Sequence, residues 1–138
     1  MRNITVAITV DDRMGLAFNK RRQSRDKKLI DDLCSKTDKD IYISSYSAIL
    51  FDEHKDRIKI VEDPLSECPD DGFCFVEMTE LGIHIDSISE LIIYYWNRLY
   101  PSDKKLDINI ESTEFKLIKC YDFTGNSHDK ITKFIYVK

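Results

Sequence analysis

"ITVAITVDDRMGLAFNKRRQSRDKKLIDDL", residues Ile4 to Leu33, holds three kinds of sequence in thirty positions. Ile4 to Val10 alternates β-branched residues with others, the period of a buried strand. A polar loop from Asp11 to Gln23 follows. Ser24 then stands as an expected N-cap, and Leu29, Ile30 and Leu33 recur at helical spacing with Cys34 beside them. Strand, long loop, helix is the opening of an α/β domain.

The chain continues in the same alternation. "DIYISS" predicts a strand. "YSAILFDEH" predicts a helix with Ile49 and Leu50 inward. "RIKIVED" predicts a strand, "PLSECPDDG" a turn or single helical turn, and "FCFVEM" a strand. "TELGIHIDSISE" fits a loop or a poor helix, and "LIIYYWN" a long aromatic strand. Beyond the "YPSDKK" turn, "LDINI", "FKLIKCYDF" and "KITKFIYVK" read as strands, the last two joined by "TGNSHD". A front of alternating strand and helix, followed by a run of strands, predicts a three-layer α/β fold. Its central sheet is mainly parallel, with an antiparallel hairpin at the C-terminal edge.

Composition bounds the function. The chain has 138 residues and reads as one domain, 1–138, with 42% hydrophobic residues, enough for an ordinary core. A net charge of −4 argues against general affinity for nucleic acid. The N-terminal apolar stretch is too short for a signal peptide's core, and no run approaches a membrane span, so the expectation is a cytoplasmic protein with no membrane partner. Cys34, Cys68, Cys74 and Cys120 include no C-x-x-C pair, and His54, His84 and His128 form no H-x-H or H-E-x-x-H group. Reduced structural thiols and no metal site are expected, with Cys68 and Cys74 near enough in sequence to pair. The carboxylates of "VEDPLSECPDDG" match no EF-hand spacing and read as a solvated loop.

The order of elements resembles dihydrofolate reductase over nearly the whole chain. Met14-Gly15 looks like the Ile-Gly that opens the substrate loop of that family. Asp26 falls about where the family's pocket carboxylate sits, at the start of the first helix, and "FKLIKCYDFTGNSHDKITKFIYVK" looks like its closing hairpin. The cofactor motifs depart from the pattern. Arg21, Arg22 and Gln23 replace the Pro-Trp before the helix. "SSYS" (Ser44 to Ser47) stands where the resemblance implies Gly-Arg-x-Thr, and Glu77 where it implies Gly-Gly. A glutamate repels a diphosphate, and no glycine lets the backbone approach one. The fold is therefore expected without NADPH-dependent activity and with no cofactor. The sequence also looks like short bacterial proteins, sometimes labelled ribonuclease Z, that share "RRQS-x-D", "WNR-x-YPSD" and "SHDKIT". That label implies an H-x-H-x-D-H metal motif, which this chain lacks.

Three stretches carry candidate chemistry. Lys20, Arg21, Arg22, Arg25, Lys27 and Lys28 surround Asp26 near a helix N-terminus, where cations oppose the helix dipole. One reading is an anion site; the other is a solvated loop whose arginines pair with carboxylates such as Asp31 or Asp32. Nearby arginines would keep Asp26 ionised. In "WNRLYPSD", Asn97 and Arg98 end a strand, where ligand-facing groups often lie; alternatively Trp96 packs in the core and Arg98 pairs with Asp103. In "GNSHDK", Ser127, His128 and Asp129 suit a hairpin turn, because neighbours in a turn seldom converge as a triad.

The resulting expectation is a dihydrofolate reductase-like domain that binds an anionic small molecule or a phosphate-bearing partner through loop 20–28. The ligand-binding candidates are Arg21, Arg22, Gln23, Ser24, Asp26, Asn97 and Arg98, and the catalytic candidates are Asp26 and His128. Two alternatives stand beside it. One is a hydrolase or nuclease acting on RNA, with His128 as acid and base. The other is a divergent NADPH-dependent reductase.

Overall fold

A computed structural model describes residues 2–138. Strand β1 (Ile4–Val10) lies at the centre of the main sheet, because its side chains are buried on both faces. The small antiparallel strands β2 (Gly15–Phe18) and β3 (Arg21–Arg22) follow, then helix α1 (Lys27–Lys36). Next come β4 (Ile41–Ile43), a 3-10 segment over Ser45–Arg57, β5 (Ile58–Ile60), the single-turn helix α2 (Pro64–Glu67) and β6 (Phe73–Phe75). A second 3-10 segment, Gly82–Ser87, leads into β7 (Ile88–Tyr95). The chain closes with β8 (Lys104–Lys105), a 3-10 turn at Ile110–Ser112, β9 (Lys116–Phe123) and β10 (Ile131–Val137).

The seven-stranded sheet runs β5-β4-β6-β1-β7-β10-β9. Its first five strands are mutually parallel, and β10 and β9 add the antiparallel edge. Val6 sits level with Cys74 on one side and Leu91 on the other. Alternation along β1 divides the core. Val6, Ile8 and Val10 pack with Leu16, Leu65, Leu81 and Phe115 on one face, and Ala7 packs with Leu29, Leu33, Phe51, Phe75 and Trp96 on the other. Helix α1 covers the second face. The first is covered by the short helix α2, the three-stranded sheet β3-β2-β8 and irregular chain. The fold is thus the mixed α/β architecture expected. Among the described residues no helix is long and apolar enough to cross a membrane.

Several local expectations are corrected. The N-cap of α1 is Asp26, not Ser24: its backbone is extended and its carboxylate accepts the Lys28 N–H. The loop 11–23 contains a hairpin, with Asn19 and Lys20 both left-handed (φ 56° and 61°) between Phe18 and Arg21. That is the conformation of a two-residue turn matched to strand twist. Residues 46–54 form no α-helix. Their apolar trio Ile49, Leu50 and Phe51 is consecutive, so no helix can turn all three inward. The backbone leaves helical geometry at Phe51, which is fully buried, while Ile49 stays 54% exposed. "LDINI" is no strand; Leu106 is buried and Ile110 opens a 3-10 turn. Strand β7 begins at Ile88, three residues before the aromatic run. The four cysteines are free, and Cys34, Cys68 and Cys74 are buried.

Candidate functional site

Asp26 organises the region where α1 meets the β9–β10 turn. Its Oδ1 accepts the backbone N–H of Lys28 and of Asn126, each at 2.9 Å. Its Oδ2 accepts the Ser127 N–H at 2.8 Å, the Ser127 hydroxyl at 3.2 Å and His128 Nδ1 at 2.9 Å. The carboxylate is fully buried. Burial alone would raise its pKa, but donation from the Asn126 amide, His128 and the amides of Ser127 and Lys28 outweighs that and holds it at about 2. No arginine is the cause, contrary to the expectation from sequence. Gly125 permits this approach, since a Cβ there would overlap the Asp26 carboxylate.

An ionised carboxylate only accepts, so His128 carries a proton on Nδ1. Its Nε2 then faces two hydroxyls, Ser24 Oγ at 3.1 Å and Tyr100 Oη at 3.0 Å. Trp96 stacks on the imidazole with ring centroids 4.6 Å apart. Ser127 and His128 thus converge on Asp26 from the turn, while Asp129 remains exposed and outside the cluster. Ser24 and Tyr100 complete it, and no spacing in the sequence marks either as a partner of His128.

The basic run does not act as one patch. Arg22 forms a bidentate pair with Glu77 (Nε–Oε1 2.7 Å, Nη2–Oε2 3.0 Å) and lies over the Tyr46 ring. Ser47 donates to the same carboxylate at 2.7 Å. Gln23 donates to Asp11 at 2.9 Å. Asp11 is itself fully buried, and sequence reading missed it. Burial would raise its pKa, but the amides of Arg13, Gly15 and Tyr100 and the Gln23 side chain lower it. Arg21 and Arg25 are exposed. Asp31 and Asp32, expected as partners of these arginines, pair instead with His54 and with the buried Lys133. Asn97 is left-handed and donates to Thr132 and to the Lys130 carbonyl. Arg98 is exposed, and Asp103 accepts from the Asn19 N–H rather than pairing with it.

Two sizeable cavities lie nearby, one beside the Asp26 cluster and one beside the Arg22–Glu77 pair. The larger, about 530 Å³, lies between α1 and the 3-10 segment Ser45–Arg57. Ile30 and Leu50 line it with Arg25, Lys27, Asn126 and Ser127. The Lys27–Glu53 ion pair and the His54–Asp31 hydrogen bond span it. The α1 amides do not open into it as free donors: Lys27 N–H goes to Asn126 Oδ1 and Lys28 N–H to Asp26. The smaller, about 160 Å³, is lined by Ser44, Tyr46, Ser47, Val76, Glu77 and Met78. These are the positions where the resemblance implies contacts to a dinucleotide. The Glu77 carboxylate, Arg22 and Ser47 fill that ground with a closed ion pair, and no glycine lies among them. This set does not fit a diphosphate. Among the described residues no group of three or more His, Cys, Asp and Glu is placed to hold a metal ion.

No protein-family model matches the sequence, and no curated protein matches it either, so neither comparison supports the resemblance to proteins labelled ribonuclease Z. Solved structures do match. The dihydrofolate reductase from Enterococcus faecalis, complexed with NADP(H) and RAB-propyl, superposes with a TM-score of 0.63 over 97% of this chain and 95% of its own, at 7% identity. The chain has a dihydrofolate reductase-like fold, and at this identity the likeness concerns the fold alone.

Proposed function

We propose that this dihydrofolate reductase-like domain binds an anionic, phosphate-bearing small molecule through loop 20–28 and does not use NADPH. The observation that carries the proposal is the 530 Å³ cleft beside α1, which Arg25 and Lys27 line together with Asp31, Asp52 and Glu53; Lys27 is paired with Glu53, and among the described residues Arg25 has no carboxylate partner. Its volume suits a small molecule, and Ile30 and Leu50 offer an apolar floor. Arg22 and Gln23 support the loop from beneath through Glu77 and Asp11. The Arg22–Glu77–Ser47 cluster argues against a diphosphate in the other cavity.

Thermal denaturation with NADPH, folate, nucleotides, sugar phosphates and short RNA, at low and moderate salt, tests this reading. A ligand at 100 times its dissociation constant adds about 2.7 kcal/mol, which is several degrees for a domain of this size. The expected result is a salt-sensitive rise with a phosphate compound that disappears in Arg25→Ala/Lys27→Ala. A rise with NADPH would restore the reductase reading, and no rise with any phosphate compound would overturn the anion site.

A further inference from the structure

We infer that Ser24, His128 and Asp26 form a nucleophilic relay that accepts an acyl group from a small acyl ester. Two contacts link the three side chains: Asp26 Oδ2 lies 2.9 Å from His128 Nδ1, and His128 Nε2 lies 3.1 Å from Ser24 Oγ. This is the distance pattern by which a carboxylate orients an imidazole and the imidazole takes a serine proton. The order of roles is fixed by chemistry. Asp26 already accepts three backbone N–H groups, so it stays an acceptor toward Nδ1 and leaves Nε2 as the basic nitrogen. Trp96 covers the ring face, and His128 is 4% exposed, so the imidazole is held in one orientation. Ser24 is half-buried, so its hydroxyl is the member of the relay nearest solvent.

The reaction balances without any further cofactor. Ser24 Oγ attacks the ester carbonyl carbon while its proton passes to His128 Nε2. The carbon–oxygen bond to the alcohol breaks, and the alcohol leaves with that proton. Water, deprotonated by His128, then attacks the acyl-serine; the carboxylic acid departs and Ser24 recovers its proton. Tyr100 gives the negative carbonyl oxygen a donor. Its hydroxyl, 3.0 Å from Nε2, loses its acceptor once that nitrogen is protonated. Ser24 borders a slot of about 10 Å³ together with Thr9, Leu29, Phe75, Glu77 and Trp96, which has room for no more than a water molecule, so the acyl group meets Ser24 from the side of the large cleft. Arg25, Asp26, Ile30 and Leu50 line both this slot and the large cleft, which places the alcohol part in the cleft. That placement rests on the anion-binding reading; the role of Ser24 does not.

A fluorophosphonate probe, which forms a stable adduct with an activated serine, reads the relay directly by mass spectrometry. The expected result is one adduct on the Ser24 peptide and hydrolysis of p-nitrophenyl acetate above the buffer rate. Both disappear in Ser24→Ala, a partly exposed substitution whose melting temperature stays within a few degrees of the wild type. Asp26→Asn, as a change in a positioning residue, moves the acidic limb of the labelling rate to lower pH. Absence of an adduct on Ser24 in the folded protein, or equal hydrolysis by wild type and Ser24→Ala, overturns the assignment and leaves the cluster as a tertiary clasp. Because the probe and p-nitrophenyl acetate carry no phosphate monoester, these results are independent of the Arg25→Ala/Lys27→Ala melting experiment.

Discussion

His128 Nδ1 lies 2.9 Å from Asp26 Oδ2, although 102 residues separate the two in the chain. The contact fastens the β9–β10 turn to the first turn of α1, and the Asn126 and Ser127 amides reinforce it. Asp26→Asn keeps the shape but replaces an acceptor oxygen with a donor nitrogen, which faces buried N–H groups. Hydrogen bonds to a buried charge contribute roughly 1.5–3 kcal/mol each, so the loss is expected to exceed 2 kcal/mol. Thermal denaturation should show a fall of about 10 °C or less if the turn detaches without unfolding α1.

The same carboxylate sets a pH dependence. Its pKa is held at about 2 in the folded protein, below the ordinary aspartate value of 3.8. A depressed folded pKa gives stability that is fully present above the unfolded value and lost as pH falls toward the folded one. The window is therefore about pH 4 down to about pH 2, and the contribution is roughly 2 kcal/mol. Urea unfolding from pH 6 to pH 2 should show a steeper acid loss for the wild type than for Asp26→Asn. Parallel curves would remove Asp26 from the account.

Gly125 is required by proximity rather than by backbone conformation. An added Cβ would overlap Asp26 Oδ2 and lie 2.9 Å from Ile131 Cδ1. Gly125→Ala should therefore cost about 1–3 kcal/mol by overpacking. It should also change the His128 imidazole resonances in NMR spectra, because the turn must retreat from Asp26. An unaltered His128 environment would show that the turn has slack.

Arg21 and Arg22 are neighbours with different roles. Arg22 neutralises Glu77, which is only 6% exposed; Arg21 is open to solvent. Arg22→Ala leaves a buried carboxylate unpaired and should cost about 3 kcal/mol. Arg21→Ala should stay within about 0.5 kcal/mol of wild type. Denaturant titrations of the two variants compare them on one scale, and similar values would mean that Glu77 finds another partner.

Lys20 holds a φ of 61° in the hairpin between β2 and β3. A side chain at such an angle costs about 1 kcal/mol that glycine avoids. Lys20→Gly, which gives the Asn-Gly turn favoured in two-residue hairpins, should raise stability by up to about 1 kcal/mol. A decrease in melting temperature would mean that Lys20 makes a compensating contact.

The apolar pattern of the sequence determined the sheet and its covering helix. Ile4 to Val10 reads as a buried strand, and Leu29, Ile30 and Leu33 as the apolar side of a helix. Periodicity records which side of an element meets the core, and that is a local property. Asp26 stood out because the resemblance to dihydrofolate reductase implies a pocket carboxylate there, and His128 because a histidine in a turn is conspicuous in isolation. Tertiary structure decided the partners. The sequence offers Arg22 many carboxylates within reach of a long side chain, and only the packing of β6 against β4 brings Glu77 beneath it. Asp26 could have met its neighbouring arginines, but the hairpin turn delivers two N–H groups and an imidazole, and α1 itself a third N–H. Ser24 looked like a helix cap and instead faces His128 Nε2, because its role depends on a turn formed by residues a hundred positions later. Pair identity is a long-range property: it follows from how whole elements pack, and no local spacing encodes it.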